Sequence, residues 1–259
     1  MEKDSKHKEK TRVLVFIILI GCIIATLVKP IAQDIKYHLF ADDRNILSIP
    51  NFWNVISNIP LILVGAAGIL FFMFHHKEKT FTSPVINYFL FFFGVFLSGF
   101  GSIYYHLTPN NKTLVWDRLP MTIAFMSFFS IIIGEYIDER KGKLLLFPLL
   151  LIGGGSVLYW QYTEMQGHGD LRAYAMVQFF PMILIPLIMI LFKVNNKYVF
   201  YIWLMLPAYV LAKVFESCDN FMFHSANLLS GHTLKHFTAA LAPLFFLIGI
   251  HKKHKGDKK

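Results

Sequence analysis

The chain has 259 residues, of which 55% are hydrophobic and only 16% charged, with a mean hydropathy of +0.51. Soluble domains carry roughly a quarter charged residues, so an ordinary water-soluble globule is excluded; 16 Gly, 11 Pro and 2 Cys exclude collagen-like, disordered and disulfide-scaffold chains as well. What fits is an all-α polytopic membrane protein, in which a net charge of +9 reflects loops and tails rather than nucleic-acid binding.

A hydrocarbon core about 30 Å thick needs roughly 20 apolar residues per helix. Stretches of that kind lie at 13–32, 53–74, 86–106, 119–137, 143–161, 172–193, 197–217 and 233–251. The first, VLVFIILIGCIIATLV, is free of charge and is followed by Lys29-Pro30. No small-residue cleavage site follows, so it reads as an additional retained transmembrane helix rather than a signal peptide. Residues 1–12 and 252–259 read as basic tails, and 33–251 as the main membrane domain. Pro181, Pro186 and Pro207 predict kinks. Cys22 and Cys218, inside or at the edge of spans, are expected to be small core residues.

Charge orients the spans, because Lys and Arg concentrate on the cytoplasmic side. An even number of spans puts both basic termini on one face, together with Lys77, Lys79, Arg140, Lys141, Lys143, Lys193 and Lys197. The opposite loops hold only Lys29, Lys36, Arg44, Lys112, Arg118 and Arg172. Both termini are therefore expected in the cytoplasm.

Polar residues inside spans are costly and point to function by default. The second span opens FWNVISNIP, where Asn54, Ser57 and Asn58 share a helical face and could bond to neighbouring helices. Before it, Asp42, Asp43, Asn45 and Asn51 could supply oxygen ligands to calcium, although the carboxylates are few. The third span ends SGFGSIYYHLTP, with Ser102 and His106 one turn apart on the same face. Trp116-Asp117-Arg118-Leu119-Pro120 reads as the opening of the fourth. The seventh span ends at Glu216, followed by Asp219 and Asn220, and the eighth begins GHTLKH, with His232 and His236 again at i, i+4. Alternating direction brings these helix ends to the face opposite the tails. Two imidazoles one turn apart plus a third from another helix suit zinc and leave a fourth position for water, the open pattern of catalytic sites. Each motif alone has an ordinary reading: a chance HxxxH, a packing serine, an aspartate favoured at a helix N-terminus. Their coincidence on one face carries the argument.

FWNVISNIP, GSIYYHLTP, WDRLPM and HTLKH, in that order, resemble the signatures of the alkaline ceramidases, over about residues 40–250. That family belongs to a group of seven-helix membrane hydrolases that includes adiponectin-receptor-like and GPI-lipid-remodelling proteins. The resemblance implies a seven-helix hydrolase core, with 13–32 an additional helix. It implies zinc on His106, His232 and His236, and an attack by water on the amide of a ceramide-like lipid drawn from the bilayer. Asp117 would carry protons, Ser102 would donate to the oxyanion, and Asp219 and Asn220 would support the site. No protein partner is implied. The family's calcium stretch is altered here, since Arg44 and Asn51 stand where carboxylates are expected, which weakens the case for calcium. A lipid ester hydrolase, or a receptor or transporter with a structural metal, remains an alternative reading of the same residues.

Overall fold

The computed structural model describes residues 2–75, 83–194, 198–226 and 228–256. The expected orienting residues Lys77, Lys79, Lys197, Lys258 and Lys259 lie outside them. Among the described residues the chain is helical without strands, and eight helices are long and apolar enough to cross a membrane.

The first helix, α1 (Glu2–Leu27), begins within the basic stretch expected to be a tail and stops before Lys29-Pro30 rather than at residue 32. Proline cannot donate its missing N–H and disfavours helix in the residue before it. Only 6% of its apolar window is buried. Cys22 lies on its exposed surface and Cys218 is half-buried, so neither is the core residue expected. From Leu27 the chain runs through an extended segment and a short 3₁₀ turn (Ile35–His38).

The second span is split into α2 (Phe52–Ile56) and α3 (Ile59–Phe74). Pro60 cannot donate to the Ile56 carbonyl, and its ring crowds that carbonyl, so the helix breaks at Ser57-Asn58. Asn54, Ser57 and Asn58 are buried around the break. Two long helices follow, α4 (Val85–Leu107) and α5 (Asn111–Tyr136). The latter starts well before residue 119 because Asn110 and Thr113 form a reciprocal capping box. Asp117 therefore lies about 1.7 turns inside the helix. Next come α6 (Glu139–Met165), α7 (Arg172–Leu191), α8 (Val199–Ser217), the short α9 (Asp219–Ala226) and α10 (Gly231–Gly256). The prolines at 181, 186 and 207 sit within continuous helices.

At the centre stands α5, with 78% of its apolar window buried. It is surrounded by Phe72, Phe91, Phe92, Ile185, Ile202 and Phe246. A smaller cluster of Tyr105, Leu114, Val157, Trp160 and Tyr174 closes the end nearer residues 28–45. Gly101 permits the close approach of α4 and α5: a Cβ there would lie 1.9 Å from the Trp116 carbonyl oxygen. That carbonyl is the one Pro120 leaves without its usual helical donor. The contact sets Ser102 beside Asp117.

The added helix packs outside the bundle against α7. Lys10 Nζ donates to the Leu191 carbonyl at one end (2.7 Å), and Arg172 Nη1 to the Val28 carbonyl at the other (2.6 Å). At the former end, Glu135 accepts from the hydroxyls of Tyr88 and Tyr198, and Lys253 lies 3.3 Å from the same carboxylate. Both ends of the chain thus lie on one side of the bundle. Glu135 and Lys253 form a largely buried ion pair there, although Lys253 falls within the stretch expected to be a basic tail.

Candidate metal centre

His106 lies in the last turn of α4, and His232 and His236 in the first turns of α10. All three are at most 5% exposed. Their ring centroids form a near-equilateral triangle with sides of 4.9, 4.9 and 5.0 Å. One ring nitrogen from each lies within 4.8 Å of the others, and among the described residues no other group of three His, Cys, Asp or Glu meets that condition. Nε2 of His106 and Nε2 of His236 are 3.3 Å apart. Two nitrogens at about 2.0–2.1 Å from one tetrahedral zinc would be about 3.3–3.4 Å apart. The donor set and this spacing fit a metal.

Neighbouring groups hold the rings. Ser57 Oγ is 3.3 Å from the Asn54 carbonyl and 2.8 Å from His236 Nδ1. With the serine proton given to the carbonyl, Nδ1–H of His236 donates to Ser57 and the Nε2 lone pair faces the other histidines. Asn54 completes the brace: its Nδ2 donates to the Asp42 carbonyl at 3.1 Å, and its Oδ1 accepts from Thr233 at 2.9 Å. The three polar residues at the helix break thus reach across to the residue 42 loop and to α10.

Asp219 fixes the start of α10. Its Oδ1 accepts from the backbone N–H of His232 (2.7 Å) and its Oδ2 from that of Ala41 (3.0 Å). Gly231 is required beside it, since a Cβ would come 2.2 Å from the Phe215 carbonyl oxygen. Asn220 is exposed on α9 and has no place in the cluster.

Asp42, only 1% exposed, gives both oxygens to Arg44, at 2.7 Å to Nε and 2.5 Å to Nη2. Arg44 also donates to the Leu228 carbonyl (2.8 Å). Asn51 donates to the His106 carbonyl (2.8 Å), while Asp43 and Asn45 are exposed. The guanidinium thus supplies the positive charge beside Asp42.

Several nearby residues were not expected from the sequence. Phe40 sets its ring centroid 4.7 Å from those of both His106 and His232, edge-on to the first and tilted to the second, covering the centre from the 28–45 segment. Lys235 lies 3.0 Å from His232 Nε2 and 2.9 Å from Glu216. A metal on that nitrogen requires the ammonium to rest on Glu216 alone. Glu216 also pairs with Lys213 (2.7 Å) and accepts from Tyr37 (3.3 Å). Burial, and then the Glu216 charge, push the Tyr37 phenol above its ordinary pKa, so it stays a donor.

His236, Asp117, Ser102 and Asn58 open onto a cavity of about 190 Å³. Beyond them its walls become apolar, with Phe91, Val95, Phe128, Met182 and Leu206. From Asp117 to Phe128 it follows roughly 16 Å of α5. A polar centre at the head of an apolar channel suits a lipid whose scissile bond lies between a polar group and a chain.

The ceramidase family matches residues 46–251. The chain belongs to the ceramidase family. It is thus a multi-pass membrane enzyme of ceramide hydrolysis, taking a lipid substrate. A comparison with the curated proteins finds no match. The matched region holds all three histidines, Ser102, Asp117 and the helix-break residues, while α1, Phe40, Asp42 and Arg44 precede it.

Proposed function

We propose that this ceramidase is a zinc-dependent amidase that cleaves ceramide-like lipids to a fatty acid and a sphingoid base at the His106, His232 and His236 centre. The observation that carries the reading is the 3.3 Å spacing of two imidazole nitrogens at the head of an apolar channel. Bound there, zinc supplies a Lewis acid that activates water for attack on the amide carbonyl.

Each neighbouring side chain has work in that reaction. Asp117 takes a proton from water and returns one to the leaving amine as the C–N bond breaks. Ser102, beside it, donates a hydrogen bond to the carbonyl oxygen as negative charge develops there. Ser57 holds the His236 ring, and Asp219 anchors the first turn that carries His232. Phe40 limits access of bulk water, and the channel lined by Phe91, Val95, Phe128, Met182 and Leu206 takes an alkyl chain.

The basic ends of α1 and α10 orient the protein with both termini in the cytoplasm and the centre towards the opposite face. Domain organisation follows: a seven-helix hydrolase core with α1 added on its outside. The reading is tested with purified protein on labelled ceramide and on a phospholipid ester, comparing wild type with Asp117→Asn. Fatty acid release from ceramide by wild type alone supports it; release only from the ester would make the chain an ester hydrolase.

A further inference from the structure

Several half-buried cations in this molecule have a carboxylate partner. Lys213 and Lys235 pair with Glu216, Arg172 with Asp170, and Lys253 with Glu135. Arg118 is more deeply buried, at 6% exposed, and has no salt-bridge partner among the described residues. Its Nη2 donates to Gln33 (2.6 Å), and its guanidinium carbon lies 4.2 Å from the Trp160 ring, 4.7 Å from Tyr174 and 5.8 Å from Tyr37. Those rings immobilise the planar cation. Nη1 is buried and has no protein partner, although Arg118 lines the cavity.

Asn58 provides a complement on another wall. It is fully buried, and its Nδ2 donates to the Asn54 carbonyl at 2.7 Å, which leaves Oδ1 without a partner in the same cavity. Two residues that line one space thus carry an unpaired buried donor and an unpaired buried acceptor, and such groups are costly unless a ligand completes them. Arg118 is held by rings from α6, α7 and the 28–45 segment, whereas the histidines come from α4 and α10. Arg118 directly follows Asp117 on α5, and its guanidinium contacts Gln33 and those rings rather than the histidines. Among the charged groups lining the cavity, Arg118, Lys213 and Lys235 outnumber Asp117 and Glu216 by one, so this end of the cavity carries an excess of positive charge.

We propose that Arg118 forms a head-group subsite which binds an oxygen acceptor, a hydroxyl or phosphate ester on the sphingoid part of the substrate, with Asn58 Oδ1 accepting a hydrogen bond from the same lipid. This rests on the ceramide-cleaving reading for the identity of the lipid, but binding can be measured without turnover. Arg118 is a positioning residue in this scheme, because it holds the lipid away from the reacting atoms.

The test uses the full chain in detergent carrying Asp117→Asn. Binding of fluorescent ceramide, 1-deoxyceramide and ceramide 1-phosphate is compared with and without Arg118→Gln. The expected result is that the oxygen-bearing lipids bind more tightly than the deoxy lipid, and that Arg118→Gln weakens them by about ten- to a hundredfold while leaving the deoxy lipid unchanged. Tighter binding of ceramide 1-phosphate than of ceramide would identify phosphate as the acceptor, and the reverse order hydroxyl. Equal weakening of all three lipids, or no weakening, overturns the subsite. If Arg118→Gln fails to fold, the same comparison is made with Arg118→Lys, which keeps the charge and loses the fixed fork; an unchanged preference among the lipids overturns the proposal. Hydrolysis by wild type is scored separately, so that binding without cleavage removes the amidase reading and leaves the subsite standing.

Discussion

Ser57→Ala is the most informative perturbation of the site, because it changes one hydroxyl that touches a histidine without being a ligand itself. The serine is fully buried and lies 2.8 Å from Nδ1 of His236. Alanine fits the helical turn there, so the backbone should hold. Without the hydroxyl, the nearest other group to Nδ1 is Asn58 Nδ2 at 3.4 Å, itself a donor. The ring N–H is then left without an acceptor in a dry site, costing about 1–3 kcal/mol. It can escape by flipping its tautomer, which puts the proton on the Nε2 that should face the metal. Either outcome weakens metal binding by about 5- to 150-fold, in line with the loss of roughly 10–100-fold seen when outer partners of metal-binding histidines are removed. Competition of the purified protein against a fluorescent zinc chelator measures this directly. Thermal unfolding of the metal-free protein should change much less. Unchanged zinc affinity in Ser57→Ala, or a fall in stability with affinity intact, would refute the orienting role.

Other consequences follow from single contacts. Gly101→Ala drives a Cβ to 1.9 Å from the Trp116 carbonyl oxygen, forcing α4 and α5 apart. It should lower stability by about 1–3 kcal/mol and activity by more than tenfold as Ser102 and Asp117 separate, read by thermal unfolding and ceramide turnover. Asp219→Asn must turn its NH₂ towards either the His232 or the Ala41 N–H, leaving one unpaired at about 1–3 kcal/mol; zinc affinity should fall with stability. Arg44→Ala strips a buried Asp42 of its cation, so the protein should melt earlier in a thermal unfolding scan. Arg172 holds the Asp170 carboxyl down to about 2. A carboxylate with a depressed folded pKa stabilises the protein above its unfolded value of about 3.9 and loses that effect as pH falls towards about 2. The melting difference between wild type and Asp170→Asn should therefore be constant above about pH 5 and shrink below about pH 4.

Much of the site could be read from local spacing. The i, i+4 pairs His232 with His236 and Ser102 with His106 depend only on helical period, and alternating spans send them to the same end. Pro60 signals the break that buries Ser57 and Asn58, although the sequence pattern read as one unbroken span. The start of α5 was harder. Asp117-Arg118 looked like an interface boundary, but the Asn110 cap extends the helix past it and places both residues in the cavity wall. The same charge bias made residues 2–12 look like a tail, although they continue α1. Phe40 carried no local signal, and Glu216 and Lys235 read only as polar residues at span ends: a phenylalanine in a loop, and charges near helix ends, acquire a partner only when distant segments meet. Arg118 was counted as a loop charge for the same reason. The pairing of Glu135 with Lys253 joins residues more than a hundred positions apart and could not be inferred from either neighbourhood.

The central claim is that the three histidines hold zinc and that this centre cleaves an amide. It is tested most directly by titrating zinc into chelator-stripped protein while following fatty acid release from ceramide. The account predicts no release without metal, a rise that saturates at about one zinc per chain, and no recovery in His236→Ala. Full release from metal-free protein, or activity restored to His236→Ala at the same stoichiometry, would contradict it.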